Sequence, residues 1–227
     1  MNPKIENRFN NTAHSKTFRN IIRMFGLHQK AVLDIGCGFG EFLIHFGRGS
    51  VGVTLVRDEA EYGEEKGLDI RRGDIESDDF TLAEKFDVIF ANNLFEHLFS
   101  PHRFLRKARR YLKPGGILIL GVPCIPKIVS LLYLNKFRGS LAVSHINFFT
   151  RDTLVRTVQR GGWQPLEIRG FHFSNKFIDH LLDPIYPHFY TAAIPEDFGI
   201  PSGGRLLDEG DFDIERREDT AKHGRFV

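Results

Sequence analysis

The sequence lacks the features that mark exported or membrane-spanning proteins. It contains only two cysteines, Cys37 and Cys124, which are too few for a framework of disulfides. Its longest apolar runs, residues 116–123 and 128–134, fall well short of the roughly 20 residues that a membrane helix requires. The segment 1–20 is polar and mixed in charge, unlike a secretory signal peptide. Together these absences predict a cytoplasmic protein with no membrane span.

The sequence also lacks a strong net charge. Its formal charge is +2 at pH 7, so electrostatic attraction gives no reason to expect nucleic acid or a membrane surface as a partner. One predicted helix does carry a basic strip, formed by Arg103, Arg106, Lys107, Arg109, Arg110 and Lys113. The strip either steers an anionic partner or covers the solvent face of the helix. We favour the second interpretation, a solvent-exposed helix face, because the basic residues are not interleaved with aromatic residues in the way that binding of single-stranded nucleic acid requires.

Tryptophan and methionine are scarce, with one and two copies, whereas phenylalanine occurs 22 times. We therefore expect a core and a pocket built largely from flat aromatic rings. This composition by itself indicates no particular ligand.

Apolar strand-like runs alternate with helical stretches between residues 31 and 123. The predicted strands are 31–36, 51–56, 68–74, 86–92 and 116–123, with two more at 163–173 and 188–194. Several are apolar at consecutive positions, which favours a parallel sheet covered on both faces. The clearest helix begins after Ser100-Pro101 and ends at the KPGG segment 113–116. This alternation predicts an α/β fold, a doubly wound, mostly parallel sheet of about seven strands.

A glycine-rich turn follows the first predicted strand. Asp34 ends that strand, glycines stand at positions 36, 38 and 40, and the apolar segment 42–46 is predicted to begin a helix. Such glycines let the backbone approach a ligand closely, and a helix N-terminus offers amide donors to a carboxylate or ribose oxygen. The pattern therefore predicts a nucleotide-binding loop. The alternative is a tight strand-to-helix turn that binds no ligand. Glu41 stands where a dinucleotide fingerprint needs glycine, which disfavours nicotinamide and flavin cofactors.

The segment 32–40, VLDIGCGFG, resembles motif I of the class I S-adenosylmethionine (SAM)-dependent methyltransferases. Further segments match that family in order and spacing: 52–55 (GVTL), 73–76 (GDIE), 86–89 (FDVI), 96–98 (EHL) and 112–116 (LKPGG). The segment 145–150, HINFFT, is typical of the small-molecule branch. The resemblance covers roughly residues 30–170 and implies a Rossmann-like methyltransferase fold with SAM as the cofactor.

The resemblance also implies which residues bind the cofactor. They are Asp34, Gly36, Cys37, Gly38, Phe39, Gly40, Thr54, Leu55, Asp74, Ile75 and Asn92. In this reading Asp34 holds the methionine amino group and the glycine loop lines the methionine and ribose. Asp74 accepts a hydrogen bond from the adenine amino group, the Ile75 backbone faces the ring, and the Asn92 backbone approaches the methionine end. The alternative for Asp74 is a simple turn residue after the third strand.

Thr54 departs from the family pattern. Most relatives end the second strand in an acid that binds both ribose hydroxyls, whereas a threonine hydroxyl offers no charge-assisted hydrogen bond, a weakening of about 1 kcal/mol. Asp58 or Glu59, just downstream, is positioned in sequence to compensate. The segment 52–55 resembles that of cyclopropane fatty-acid synthases, which also carry threonine there, and this favours a lipid substrate only slightly.

The resemblance implies methyl transfer to an oxygen or nitrogen of a small-molecule acceptor, such as a sugar or a cell-envelope or natural-product intermediate. A hydroxyl acceptor needs a base, and a histidine suits that task near neutral pH. His97 follows the fourth strand at the edge where ligands bind in such sheets, and His145 precedes the next helix. We therefore predict His97 and His145 as base candidates, with a packing role as the alternative for each.

The chain is predicted to form one SAM-dependent methyltransferase domain, residues 1–194, followed by a polar tail of uncertain order, 195–227. Within the domain, residues 124–149 interrupt the alternation of strands and helices, and long connections of this kind are usually functional. We predict that they form an acceptor lid. The apolar run 128–134 and its basic neighbours suit an amphiphilic or anionic acceptor, or alternatively a helix packed on the sheet edge.

Two alternatives compete with this reading. Some relatives, including ubiquinone-pathway O-methyltransferases and small-RNA 2′-O-methyltransferases, bind a divalent ion through Glu-x-x-Glu-His, and the RNA enzymes add a downstream histidine. Here Asn93, Glu96, His97 and His145 match, but Asn93 replaces a carboxylate, so we expect no metal site. The second alternative is a SAM-binding regulator without catalysis, for which the weakened ribose contact at Thr54 is the only support.

Overall fold

The computed structural model describes residues 3–128, 139, 141–170 and 176–196, which include a seven-stranded sheet. In chain order the strands are β1 (Val32–Ile35), β2 (Val51–Thr54), β3 (Ile70–Arg72), β4 (Phe86–Asn92), β5 (Leu112–Pro123), β6 (Trp163–Arg169) and β7 (His188–Pro195). Their order across the sheet is β3-β2-β1-β4-β5-β7-β6. Strands β1 to β5 are parallel, whereas β7 runs antiparallel to both β5 and β6. The predicted doubly wound, mostly parallel sheet is confirmed.

Helices cover both faces of the sheet. They are α1 (Pro3–His14), α2 (Lys16–Phe25), α3 (Arg57–Glu65), α4 (Pro101–Ala108), α5 (Arg151–Arg160) and α6 (Lys176–Leu182), with 3-10 turns at Leu27–Gln29, Leu43–His45, Phe95–His97 and Arg109–Tyr111. One face of the strands packs under α4 and α5, where Trp163 is fully buried. The other packs under α2. Burial of both faces explains why the strands are apolar at consecutive positions.

The predicted helix starts are confirmed by their caps. The Ser100 hydroxyl accepts a hydrogen bond from the Arg103 amide at 3.3 Å, and Pro101 occupies the first position of α4. Thr150 caps α5 in the same way and exchanges side-chain and backbone hydrogen bonds with Thr153. Each hydroxyl satisfies an amide that has no partner within its helix.

The predicted helix at residues 42–46 is wrong. The structure has only the 3-10 turn Leu43–His45 there. The chain must turn back at once toward β2, and the Gly47 amide donates to the carbonyls of Leu27 and Lys30 at 2.9 and 3.1 Å. A side chain at position 47 would lie 2.5 Å from the Lys30 nitrogen, so the chain passes too close for any residue but glycine. No helix N-terminus therefore faces a ligand at this loop.

Several predicted boundaries also shift. Strands β1, β2 and β3 are shorter than the predicted 31–36, 51–56 and 68–74: β2 ends early, and β1 and β3 are shorter at both ends. Strand β5 instead begins earlier, at Leu112. Most of the predicted lid core, residues 129–138, and the tail from residue 197 lie outside the described residues, as do residues 171–175.

A cluster of phenylalanines fills the space beside the short turn. The Phe18 ring of α2 lies 4.8 Å from Phe42, 6.0 Å from Phe46 and 6.2 Å from Phe90, measured between ring centroids. Phe18 is 1% exposed and contacts Phe42 edge-on, a favourable arrangement for aromatic rings. The abundance of phenylalanine thus serves the core under the glycine loop.

Replacing Phe18 by alanine should therefore lower the free energy of unfolding by about 3–5 kcal/mol, because it removes buried surface and leaves a cavity. Urea denaturation followed by circular dichroism measures the change. Phe99→Ala is the matched control, since that ring is 90% exposed, and should shift stability by less than about 0.5 kcal/mol. Equal losses in the two variants would contradict the role of this cluster.

Candidate functional site

The carboxyl ends of β1 to β5 meet at one edge of the sheet, and the glycine loop begins there. Gly36, Gly38 and Gly40 all have positive φ, at 75°, 56° and 87°. The loop is anchored because the amides of Gly36 and Cys37 donate to the Val53 carbonyl at 2.8 and 3.1 Å. This left-handed backbone is open to glycine and strained for other residues, so the predicted glycine spacing has a direct physical cause.

A first cavity of about 140 Å³ lies at the ends of β1, β2 and β3. It brings together five of the residues predicted to bind the cofactor: Gly36, Thr54, Leu55, Asp74 and Ile75. The other predicted residues do not line this cavity. They are Asp34, Cys37, Gly38, Phe39, Gly40 and Asn92. We call this space the cofactor cavity.

Asp34 is a buried acid below the glycine loop. It is 1% exposed, and its Oδ2 atom has no hydrogen-bond partner among the described residues. Burial, with the nearby charge of Glu41, raises the pKa of the Asp34 carboxyl well above its usual value. Such a group gains from a cationic or hydrogen-bond-donating ligand placed against it. Cys37 is also buried and packs against Gly52, so its thiol fills space in the core.

An ion pair that the sequence did not predict covers the same loop. Arg8 of α1 donates from Nε to Glu41 Oε1 at 2.8 Å, and its guanidinium lies 5.3 Å from the centre of the Phe39 ring. A Cβ at Gly38 would come within 2.7 Å of the Arg8 side chain. Helix α1 is therefore held against the outer face of the glycine loop. A pairing across 33 positions leaves no local pattern in the sequence.

A carboxylate lies at the end of β2, supplied by Glu59 of α3. Thr54 donates from its hydroxyl to Glu59 Oε2 at 2.5 Å, and the Thr54 Oγ1 atom also accepts from the Val56 amide at 3.2 Å. Glu59 reaches this point because α3 turns back over the strand end. Of the two acids weighed from the sequence, Glu59 is thus the one at the strand end, while Asp58 is exposed.

Asp74 stands in the turn after β3. Its Oδ1 accepts from the Glu76 amide at 2.8 Å, so the residue stabilises its own turn. The Glu76 carboxylate in turn accepts from the amides of Phe99 and Ser100 at 2.9 and 2.7 Å. These bonds tie the turn after β3 to the start of α4 and shape one wall of the cofactor cavity.

His97 and His145 lie on either side of Glu96. His97 Nε2 and His145 Nε2 are 3.8 and 3.9 Å from Glu96 Oε1, and the two rings meet edge-on at 4.8 Å. Glu96 is fully buried, its two oxygens have no hydrogen-bond donor among the described residues, and burial raises its pKa to about 7. His97 also lines the cofactor cavity.

The HINFFT segment docks onto this turn after β4. The amides of Ile146 and Asn147 donate to the Glu96 carbonyl at 3.0 and 2.9 Å, and the Asn147 side chain donates to the Leu98 carbonyl at 2.6 Å. His97 Nδ1 donates to the Ser144 carbonyl at 2.9 Å. The motif therefore fixes the chain that returns from the 124–149 connection.

A second cavity, of about 180 Å³, lies at the end of β4 and the start of β7. Its wall includes Ser15, Thr17, Asn92, Asn93, Tyr186 and His188. The sequence predicted only a strand near residue 188, and His188 went unnoticed as a site residue. Because β7 runs antiparallel to β5, its first residue, His188, lies at the carboxyl ends of the parallel strands. Predicting that strand direction is the one step that could have identified His188 from the sequence.

A family model described as "Methyltransferase domain" matches residues 9–168 of this chain. The ubiquinone biosynthesis O-methyltransferase of Actinobacillus pleuropneumoniae serotype 5b (strain L20) is 34% identical over 168 residues, 66% of this chain and 72% of that protein. Its namesake from Glaesserella parasuis serovar 5 (strain SH0165) is 27% identical over 168 residues, 66% of this chain and 71% of that protein.

Among solved structures, a TehB-like SAM-dependent methyltransferase from Corynebacterium glutamicum matches with a TM-score of 0.60 and 17% identity, covering 85% of this chain and 97% of that one. The fold and the site define a methyltransferase of the Rossmann-like class. The chain belongs to the methyltransferase-domain family, and it is an enzyme that uses SAM. Every helix in the described ranges is too short or too polar to cross a bilayer.

The Arg8–Glu41 pair yields a stability prediction. Arg8→Met leaves the buried Glu41 carboxylate without its cation and should lower the free energy of unfolding by about 1–3 kcal/mol. Adding Glu41→Gln to Arg8→Met should restore part of that loss, since position 41 then carries no unpaired buried charge. Urea denaturation measures both variants. Arg57→Met is the control, because its pair with Glu61 is exposed and its removal should leave stability unchanged. A loss in Arg8→Met no larger than in this control would refute the pairing.

Proposed function

We propose that this enzyme transfers the methyl group of SAM to an oxygen or nitrogen of a small-molecule acceptor, such as a sugar or a cell-envelope or natural-product intermediate. The observation that carries this proposal is the placement of two cavities on either side of residues 92–94. Leu94 lines the cofactor cavity, whereas Asn92 and Asn93 line the second one. A cofactor in the first cavity would present its methionine end toward an acceptor in the second.

The residues present fit SAM. Asp74 and the Ile75 backbone suit the adenine, and Thr54 and Leu55 lie where the ribose would bind. The unpartnered Asp34 oxygen suits the positively charged amino group of the methionine. Gly36, Cys37, Gly38, Phe39 and Gly40 would line the methionine and ribose, with the Asn92 backbone at the methionine end. When bound, SAM supplies the activated methyl group.

The chain's own contribution is mainly to hold the acceptor in line with the methyl group and to exclude water. Orientation alone can supply roughly 7–11 kcal/mol of the barrier. We propose residues 1–194 as the catalytic domain, with 124–149 as an acceptor lid and 195–227 as a tail. The hydrogen bond from the Ile125 amide to the Phe149 carbonyl at 2.7 Å supports the lid, because it joins the two ends of that connection.

Two further features of the proposal concern the acceptor and the compartment. The names of the relatives favour oxygen over nitrogen as the attacking atom. His97 and His145 remain predicted base candidates, and their rings flank Glu96 rather than the second cavity. Cys37 and Cys124 are buried and form no disulfide, which supports a reducing compartment such as the cytoplasm.

The proposal is tested with a panel of acceptors. Purified enzyme with SAM is offered catechol, methyl glucoside and aniline, which present a phenol, sugar hydroxyls and an aromatic amine. We expect methyl transfer to at least one of them, detected as release of S-adenosylhomocysteine. Calorimetric binding of SAM without transfer to any of them would contradict this proposed range of acceptors.

The ribose contact gives a sharper test of the cofactor site. We propose that Glu59 supplies the charge that Thr54 lacks, so Glu59→Gln should raise the Kd for SAM about 5- to 30-fold, the cost of a charge-assisted hydrogen bond. Isothermal titration calorimetry measures the change. Asp58→Asn, which removes an exposed acid one residue away, should bind SAM as the wild type does. Equal effects of the two substitutions would remove Glu59 from the site.

A second candidate function is metal-assisted transfer. Glu96, His97 and His145 offer a carboxylate oxygen and two ring nitrogens, and these ligand atoms lie within 4.8 Å of one another. Such a donor set suits a divalent transition metal or zinc, and the unpartnered Glu96 oxygens fit that role. A metal there would supply Lewis acidity toward an acceptor oxygen. Asn93, the fourth matching position in the sequence, contacts His188 instead.

A chelator separates the two candidates. We expect methyl transfer to survive dialysis against EDTA, because the cluster has a single carboxylate and the Asn93 position provides no second one. Loss of activity that Mg²⁺, Mn²⁺ or Zn²⁺ restores would establish the metal-assisted alternative. Glu96→Gln, assayed with and without added metal, shows whether any restoration depends on this cluster.

A further inference from the structure

His188 and Asn93 form a pair in the wall of the second cavity. His188 Nε2 lies 3.0 Å from Asn93 Oδ1. An amide oxygen only accepts hydrogen bonds, so Nε2 is the donor and carries the ring proton. In the neutral ring the other nitrogen, Nδ1, then holds a lone pair. Nδ1 forms no hydrogen bond with any residue in the described ranges.

The sheet fixes the position of both partners. His188 is the first residue of β7 and pairs with Pro123 at the end of β5, beside the hydrogen bond from the Cys124 amide to the Pro187 carbonyl at 2.7 Å. Asn93 follows β4, and its amide donates to the Gly121 carbonyl at 2.8 Å. A pair built on strand ends keeps its geometry better than one built on loops.

Asn93 adopts an unusual backbone conformation. Its φ of 51° makes it the non-glycine residue with positive φ in the described part of the chain. Asparagine tolerates this left-handed region better than most residues, yet the conformation is costly and recurs at functional sites. Here it directs the side chain to His188, away from the Glu96 cluster.

We propose that His188 is the general base that removes the proton from a hydroxyl acceptor, with Asn93 as the residue that orients it. This inference rests on the proposed function and deepens it, since a base at this place assigns the acceptor as a hydroxyl compound. The acceptor oxygen forms a bond to the methyl carbon while the carbon–sulfur bond breaks and its electron pair stays on sulfur. The hydroxyl proton passes to His188 Nδ1.

The surroundings favour His188 over other groups as the proton acceptor. Tyr190 packs 5.0 Å from the His188 ring, and Tyr186 lines the same cavity. Burial raises the pKa of both tyrosines, so they stay protonated near neutral pH. No carboxylate is among the described residues of the wall. Burial also lowers the pKa of His188 to about 4, so the ring is neutral and its Nδ1 lone pair is free to accept a proton at neutral pH. The same shift makes the ring a weak base, and the proposed step therefore needs the Asn93 hydrogen bond to stabilise the imidazolium.

The Asn93 oxygen contributes to the step itself. Its hydrogen bond from Nε2 becomes charge-assisted once the ring takes up the proton, and such bonds are roughly twice as strong as neutral ones. Asn93 therefore both fixes the ring tautomer and stabilises the imidazolium that forms. Because Asn93 acts through His188, it is a positioning residue.

The first test needs no acceptor. Nitrogen-15 NMR of the histidine-labelled enzyme bound to S-adenosylhomocysteine reports which ring nitrogen of His188 carries the proton, and His188→Asn assigns the resonance. We expect the proton on Nε2. Asn93→Asp should retain the backbone conformation and raise the His188 pKa by at least about one unit, because a carboxylate stabilises the charged ring. A proton on Nδ1, or an unchanged pKa, would overturn the pairing.

The second test measures catalysis with catechol or methyl glucoside in the presence of EDTA. His188→Ala should lower kcat about 10²- to 10⁴-fold, with KM and the Kd for SAM nearly unchanged, and free imidazole should restore part of the rate. His28→Ala, an exposed histidine before β1 at the opposite edge of the sheet, is the control. Transfer to aniline, which has a lone pair already available, should depend on His188 far less.

These outcomes keep the inference separate from the proposed function. No transfer to any panel acceptor would contradict the proposed function, while the NMR result still decides the pairing. An active His188→Ala variant, or a loss that imidazole does not restore, would overturn the assigned base. Imidazole rescue of His97→Ala or His145→Ala in place of His188→Ala would move the role to that residue.

Discussion

The hydrogen bond from the Asn93 amide to the Gly121 carbonyl holds the end of β4 against β5, and the rest of the site depends on it. Beyond this point the chain leaves the sheet and divides the carboxyl edge into two cavities. Leu94 then packs on Gly36, where a Cβ would meet it at 3.1 Å. One short segment therefore separates and aligns the cofactor side and the second cavity, as expected where a sheet reverses its strand order.

Buried acids concentrate at the same edge. Asp34, Glu41 and Glu96 are each at most 5% exposed, which is costly for carboxylates unless something compensates. Glu41 has Arg8, whereas Asp34 and Glu96 have their pKa values raised by burial. Buried acids without a hydrogen-bond partner are more typical of binding sites than of cores. Among the described residues, Asp34 and Glu96 are therefore the acids that a cationic group or a metal would stabilise most.

The sequence allowed much of the fold to be predicted because its information is local. Consecutive apolar positions marked the parallel strands, and Ser100 and Thr150 marked their helix starts through hydroxyl caps. The prediction of a helix at 42–46 was wrong because an α-helix and a 3-10 turn share the same apolar pattern over so few residues. The close approach of Gly47 to Lys30 favours the turn, and a contact between residues 17 positions apart is not visible in that pattern. The sequence indicated two acids, Asp58 and Glu59, as possible partners of the β2 end, and Glu59 is the one in contact with Thr54. The roles of Arg8 and His188 could not be predicted, because their partners lie 33 and 95 positions away in the sequence.

Helix α1 contacts the glycine loop on which SAM is proposed to bind. Arg8 rests on the outer face of the glycine loop, and its side chain remains 47% exposed, so dissolved salt weakens its attraction to Glu41. With SAM on this loop, as proposed, linkage is reciprocal: a condition that loosens α1 changes cofactor affinity, and cofactor binding changes how firmly α1 is held. With that cofactor site, we expect ionic strength to change the affinity for SAM through a helix that touches neither reacting group.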